Sequence, residues 1–214
     1  MKTTIKTISA LFLALSTGAS AATITWGAAT DITGVGDIDL TGQSILYAMD
    51  GGDGATAGGV TFDASDYVNL PSGVTFAATG ADASDSPQSR STDSIAGTVL
   101  GTTTGDAGYD DLIGWVADSF GAPSGIDTGT MTFGNLVDTQ EYQIQIWFSD
   151  DRFSGRSMVY GDGTNTVTLA AQSSGSGSNG QFAIGTFTAS GTSQDLTMAT
   201  SGMGNVHYNG ILVQ

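Results

Sequence analysis

The sequence has no cysteine, one histidine, three prolines and five basic residues among its 214 positions. Without cysteine there is no disulfide framework, and no thiolate to act as nucleophile or metal ligand. With His207 as the sole histidine, a histidine-rich catalytic zinc site lacks ligands, and any Ser-His-Asp triad would have to use that one residue. No Gly-x-Ser-x-Gly elbow lies between a strand and a helix to support such a triad, because Gly175-Ser176-Gly177 falls in a run of small residues. Read plainly, His207 is a strand histidine with a local hydrogen bond.

The scarcity of positive charge is sharper than the total suggests. Lys2 and Lys6 belong to an opening segment with a mostly apolar stretch from Ile8 to Leu15 and the small residues Ala19-Ser20-Ala21. That is the form of a secretory leader over residues 1–21, with the mature chain starting near Ala22. The apolar stretch is shorter than the roughly 20 residues a membrane-spanning helix needs, so no direct membrane insertion is expected once the leader is removed. What remains is Arg90, Arg152 and Arg156 against 21 acids, a net charge of −18. Such a surface repels phosphate backbones and anionic lipid heads, which removes nucleic acid and membrane surfaces from the expected partners. The expected location is secreted or extracellular, with association at a cell surface left open.

Residues 22–214 fit one domain, with no linker-like stretch and no repeat of solenoid period. The acids are almost all aspartate, Glu141 being the single glutamate. Aspartate bonds its own backbone in turns, whereas glutamate favours helices, so this is a turn-rich chain. Its 32 glycines, with many Thr, Ser and Val, describe short strands joined by tight turns.

The clearest strand is Glu141 to Ser149, where Tyr142, Ile144, Ile146 and Phe148 alternate with Gln143, Gln145 and Trp147. Further strands are expected at Thr23 to Trp26, Ser44 to Met49, Val60 to Phe62, Val74 to Ala78, Gly129 to Phe133 and Ser157 to Tyr160. The series continues at Thr166 to Ala170, Gln181 to Ala189, Asp195 to Thr200 and Val206 to Val213. One segment departs from this period: Tyr109, Leu112, Ile113 and Val116 recur at helical spacing, with Asp110 and Asp111 where a helix dipole favours negative charge. Gly51 to Gly59 and Ser173 to Gly180 read as mobile loops. Ala77 to Ala107 fits either strands with long loops or an excursion without structure. The fold class that follows is all-β: a two-sheet antiparallel, jelly-roll-like sandwich with one short helix over one end.

Several segments carry a resemblance to a known group. They are Tyr142-Gln143-Ile144-Gln145-Ile146-Trp147-Phe148-Ser149-Asp150-Asp151-Arg152, Gly155-Arg156, the run from Gly180 to Ala189, and the closing Asn209-Gly210-Ile211-Leu212-Val213. With Ile24-Thr25-Trp26-Gly27 and Gly58-Gly59-Val60-Thr61-Phe62, these resemble exported bacterial proteins associated with PEP-CTERM sorting tails. The domains of that group look like galactose-binding-type jelly rolls, of the malectin and carbohydrate-binding-module kind. The resemblance implies a carbohydrate-binding sandwich, and it leaves room for a structural calcium ion. No Pro-Glu-Pro motif with an apolar tail precedes Gln214, so release or non-covalent attachment is expected rather than retention by that sorting route.

Four residues stand out as ligand-binding candidates: Trp147, Arg152, Arg156 and Tyr208. Trp147 falls on the polar register of its strand, where an exposed ring would stack on a sugar and a covered one would pack in a second core. Arg152 and Arg156, beside Asp150 and Asp151, would either hold a ligand through paired hydrogen bonds or form an internal ion network that fixes the turn. Tyr208 carries the same ambiguity as Trp147. The pairs Asp50/Asp53, Asp63/Asp66, Asp82/Asp85 and Asp110/Asp111 offer hard oxygen ligands for calcium, though turn chemistry explains each without metal, and none matches an EF-hand loop. No catalytic residue is marked, and no two carboxylates are singled out as a glycosidase pair. The function expected is a secreted, non-enzymatic binding module for glycan or extracellular polysaccharide. The alternatives are a structural protein of the cell surface or biofilm matrix, and a hydrolase acting on polysaccharide.

Overall fold

The computed structural model describes residues 21–41, 44–78, 89–93, 104–119, 128–150, 155–171, 179–201 and 205–214. In chain order the strands are β1 (Thr25–Trp26), β2 (Thr30–Asp31), β3 (Tyr47–Asp50), β4 (Ala55–Ala57), β5 (Val60–Ala64), β6 (Val74–Ala78) and β7 (Ser89–Asp93). The one α-helix among the described residues, α1 (Ala107–Gly114), leads into β8 (Trp115–Ser119), and β9 (Thr128–Phe133) follows. Then come β10 (Glu141–Phe148), β11 (Ser157–Gly161), β12 (Thr166–Ala170), β13 (Gln181–Thr188), β14 (Gln194–Ser201), β15 (His207–Tyr208) and β16 (Gly210–Val213).

These strands build a β-sandwich. An eight-stranded sheet runs β1-β13-β10-β16-β3-β5-β4, with β2 also on β13, and faces a five-stranded sheet ordered β12-β11-β14-β9-β6. A small third sheet, β15-β8-β7, lies beside them. Pairing is antiparallel except between β3 and β5.

The alternation read in β10 is the key to the packing. Tyr142, Ile144, Ile146 and Phe148 enter the main core between the sheets, where they meet Met131 and Phe133 of β9, Met158 and Tyr160 of β11, and Leu196 and Met198 of β14. The other register of the same strand feeds a second apolar cluster on the opposite side of the large sheet. There Trp147, Phe182 and Leu212 are covered by Tyr109, Leu112 and Ile113 of α1 and by Val60 and Phe62 of β5. Gln145 is buried in that register too, its amide donating to Asp37 O at 2.7 Å and its carbonyl accepting from Asp39 N at 3.0 Å.

Several expectations are corrected. The helix stops at Gly114, and Val116 belongs to β8, because the backbone from Trp115 onward is taken up by ladders to β7 and β15. Its N-cap is Asp106, which accepts from Tyr109 N at 2.8 Å. Gly51 to Gly59 is not a mobile loop. Gly51 and Gly52 are buried, and β4 pairs with β5 through a two-residue hairpin at Gly58-Gly59, whose φ values of 58° and 81° are those a type I′ turn requires. The long strand expected from Val206 to Val213 is split at Asn209, whose side chain accepts from Ser149 N at 2.6 Å and donates to Ile113 O at 2.9 Å and Trp115 O at 2.7 Å. Those bonds let the chain pass from the small sheet into the large one. Between Ala77 and Ala107 the structure adds β7, and most of Ser173 to Gly180 lies outside the described residues.

Candidate functional site

Three of the four expected ligand residues lie in the interior, and Arg152 is outside the described residues. Trp147 is 0% exposed: its indole Nε1 donates to Tyr109 Oη at 2.8 Å, and its ring meets Phe62 edge-on at 5.9 Å. The helix that the sequence placed over one end of the sandwich is the lid that removes Trp147 from solvent. Tyr208 is also buried, donating to Ser65 O at 2.6 Å and meeting Tyr67 edge-on at 5.5 Å. Burial, together with the nearby Asp66 and Asp50, pushes its phenol well above the usual tyrosine range. Neither ring offers a face to a sugar.

Arg156 forms a buried ion pair with Asp150, and its guanidinium lies 3.4 Å from His207 Nε2. His207 sits in β15, 1% exposed, with its ring stacked near Phe148 at 6.4 Å. This pair is one contact of the internal ion network of the two readings; Asp151 and Arg152 lie outside the described residues. A charge pair so placed fixes local geometry, and removing one partner would strand the other in the interior.

Aspartates are spent mainly on turns. Asp66 accepts from the amides of Val68 and Asn69, Asp39 from Thr41, and Asp138 from Gly191. Asp53, Asp63 and Asp111 instead line a recess of about 300 Å³ beside β4 and β5. Among the described residues no three acidic or histidine side chains stand close enough together to hold a metal ion. Asp82 and Asp85 lie outside the described residues.

An open surface of different chemistry wraps around the edge strand β1. On one side a shallow recess of about 360 Å³ is lined by Thr23, Thr25, Glu141, Thr186, Phe187 and Thr188. Register explains the lining: Thr25 pairs with Thr186, which pairs with Gln143, and Thr188 pairs with Glu141. Neighbouring strands lie about 4.8 Å apart, so exposed hydroxyl, amide and carboxylate groups form short rows across three strands. On the other side a recess of about 410 Å³ is lined by Ile24, Thr25, Trp26, Thr164, Asn165 and Thr166.

Trp26 occupies the lip between the two sheets. It is half-buried, with its ring laid over Gly185, where a Cβ would come within 2.8 Å of Trp26 Cε3. Its Nε1 is buried and has no hydrogen-bond partner among the described residues, in contrast to that of Trp147. Asp162 fixes the recess: it accepts from Ile24 N and from Thr164 N and Asn165 N, each at 2.7 Å, tying β1 to the β11–β12 turn. Burial alone would raise its carboxyl, but the three amides outweigh that and hold it below the usual aspartate value. Sequence reading places Trp26 at the end of an expected strand and in the Ile24-Thr25-Trp26-Gly27 segment of the resemblance, but does not single it out as a site residue, because nothing local shows which strands border it.

What lines this edge can donate and accept hydrogen bonds, and can offer part of an aromatic ring. Glu141 and Asp162 are acids beside it, and among the described residues no cation lines either recess. No family model, curated protein or solved structure matches the chain.

Proposed function

We propose that this is an exported, non-enzymatic binding module for a glycan or extracellular polysaccharide, and that the ligand is held along the β1 edge. The observation that carries the reading is Trp26, a partly exposed ring at the rim of a recess lined also by Ile24, threonine hydroxyls and an asparagine amide. Sugars present an apolar ring face and a polar rim, and that combination of an aromatic surface with donors and acceptors is what complements both. The resemblance to galactose-binding-type jelly rolls supports the same class of ligand. Charge narrows it further. A chain of net charge −16, with no cation in either recess among the described residues, favours neutral over sulfated or uronic polymers.

A glycan array probed with the protein lacking residues 1–21 tests this. Retention of neutral glycans is expected, falling at least about tenfold in Trp26→Ala, since stacking and the hydrogen bonds it orients contribute on the order of 1–2 kcal/mol. Circular dichroism of the variant should match the parent. Absence of any retained glycan, or unchanged retention in a folded Trp26→Ala protein, removes the β1 edge from the reading.

A further inference from the structure

Asp50 ends β3 with its side chain shielded from solvent, 0% exposed. Oδ2 accepts from the amide of Gly54 at 2.8 Å, while Oδ1 is buried with no hydrogen-bond partner among the described residues. The ionisable groups that bear on it are acids. Asp53 lies in the same turn and Asp111 on α1, and both act on its charge. Tyr208 on β15 is coupled to it as well, and Asp66 beyond β5 acts on that same phenol.

The turn that follows is packed tightly. Gly51 N donates to Asn209 O at 2.6 Å, and a Cβ on Gly51 would stand 2.7 Å from Tyr208 O. Gly52 lies directly against the Trp115 ring. Glycine at both positions is therefore required by close approach, and the turn cannot move without disturbing the start of β8.

We propose that Asp50 is a pH-responsive latch: protonated, it holds the Gly51–Gly54 turn closed against β8, and ionised, it drives that turn open toward water. A buried carboxylate with one bare oxygen and acidic neighbours gains by reaching solvent, and the neutral acid does not. Burial, moderated by the amides of Gly54 and Gly52 and reinforced by Asp111 and Asp53, pushes the group up to about 7. The change therefore falls near neutrality. Opening would release Trp115, which packs on Gly52, together with the first residues of β8 and the adjoining end of α1.

Hydrogen exchange on the full chain between pH 5.5 and 8.5, corrected for the intrinsic rate, reads the latch directly. Peptides covering residues 50–57 and 107–119 are expected to lose protection at least about tenfold relative to β10 as the pH rises. Asp50→Asn should abolish that difference. Should that variant fail to fold, the double variant Asp53→Asn/Asp111→Asn supplies the test, because removing the acidic neighbours moves the midpoint to lower pH. Protection independent of pH, a wild-type response in Asp50→Asn, or a midpoint unmoved in the double variant would each overturn the proposal.

Discussion

The large sheet has two buried faces, and they are built from different chemistry. Toward the five-stranded sheet, β10 presents Tyr142, Ile144, Ile146 and Phe148 to a core of aliphatic, methionine and aromatic side chains. Toward α1 the same strand presents Gln145 and Trp147, and both are held by hydrogen bonds, to Asp37 and Asp39 and to Tyr109. Asn209 and Asp50 are buried at the margin of that second region. The first face depends on burial of apolar area, which is non-directional and indifferent to pH. The second depends in addition on donors and acceptors that must meet with the right geometry and protonation state. One strand thus joins a tolerant core to an exacting one, and the two should fail in different ways.

The largest effect is expected in the main core. Phe133→Ala, deleting a side chain that is 1% exposed and meets Tyr47 at 5.9 Å, should cost about 3–5 kcal/mol. Urea denaturation at pH 5.5 and again at 8.5 checks both the size and the key contrast, which is that the cost is the same at the two values. A cost that changed by more than about 1 kcal/mol with pH would mean the two faces are not energetically separate.

The second region should supply a pH dependence between about pH 4 and 7. For Asp50 the folded state binds a proton more tightly than the unfolded chain, whose carboxyl titrates near the ordinary value of 3.8. Between about pH 4 and 7 the folded protein therefore holds a proton that the unfolded chain has released, and unfolding becomes easier as the pH rises. This contribution is fully lost above the folded value of about 7. From pH 5 to 8 the expected loss is on the order of 2 kcal/mol, at up to about 1.4 kcal/mol per unit. Asp50→Asn should flatten the profile. A parent protein that gains stability over this range would contradict the assignment.

The two faces also differ in how well they could be read from sequence. The main core announces itself through period-two alternation, and Val74–Ala78 and Thr166–Ala170 form strands with the bounds that the pattern gives. Tyr109, Leu112 and Ile113 likewise mark α1, because their spacing is local. What the helix covers is not local. Trp147 sits in a register that reads as polar, and only the tertiary placement of α1 makes it a core residue. Gly58-Gly59 is a hairpin signal that dense surrounding glycine disguised as a loop. Asn209 looks like one polar residue within a strand, yet its side-chain bonds to Ser149, Ile113 and Trp115 divide that strand between two sheets. At the β1 edge the strand itself was legible, expected from Thr23 to Trp26 and formed by Thr25–Trp26, but the surface it borders was not, since its partners lie more than 150 residues away.

The smallest effect sharpens the contrast most selectively. Asp106 caps α1 by accepting from Tyr109 N at 2.8 Å, and Tyr109 is also the residue whose hydroxyl receives the Trp147 N–H. Losing the cap in Asp106→Ala should cost about 1 kcal/mol, by freeing the first turn of the helix and by removing a charge that suits its dipole. That loss should be felt where α1 lies and nowhere else. Exchange of the Trp147 indole proton, followed by NMR, is expected to quicken severalfold, while the backbone amides of β9 and β14 keep their parent rates. Equal quickening in both regions would show that the helix is not a separable cover but part of one cooperative core, and the distinction between the two faces would then be geometric rather than energetic.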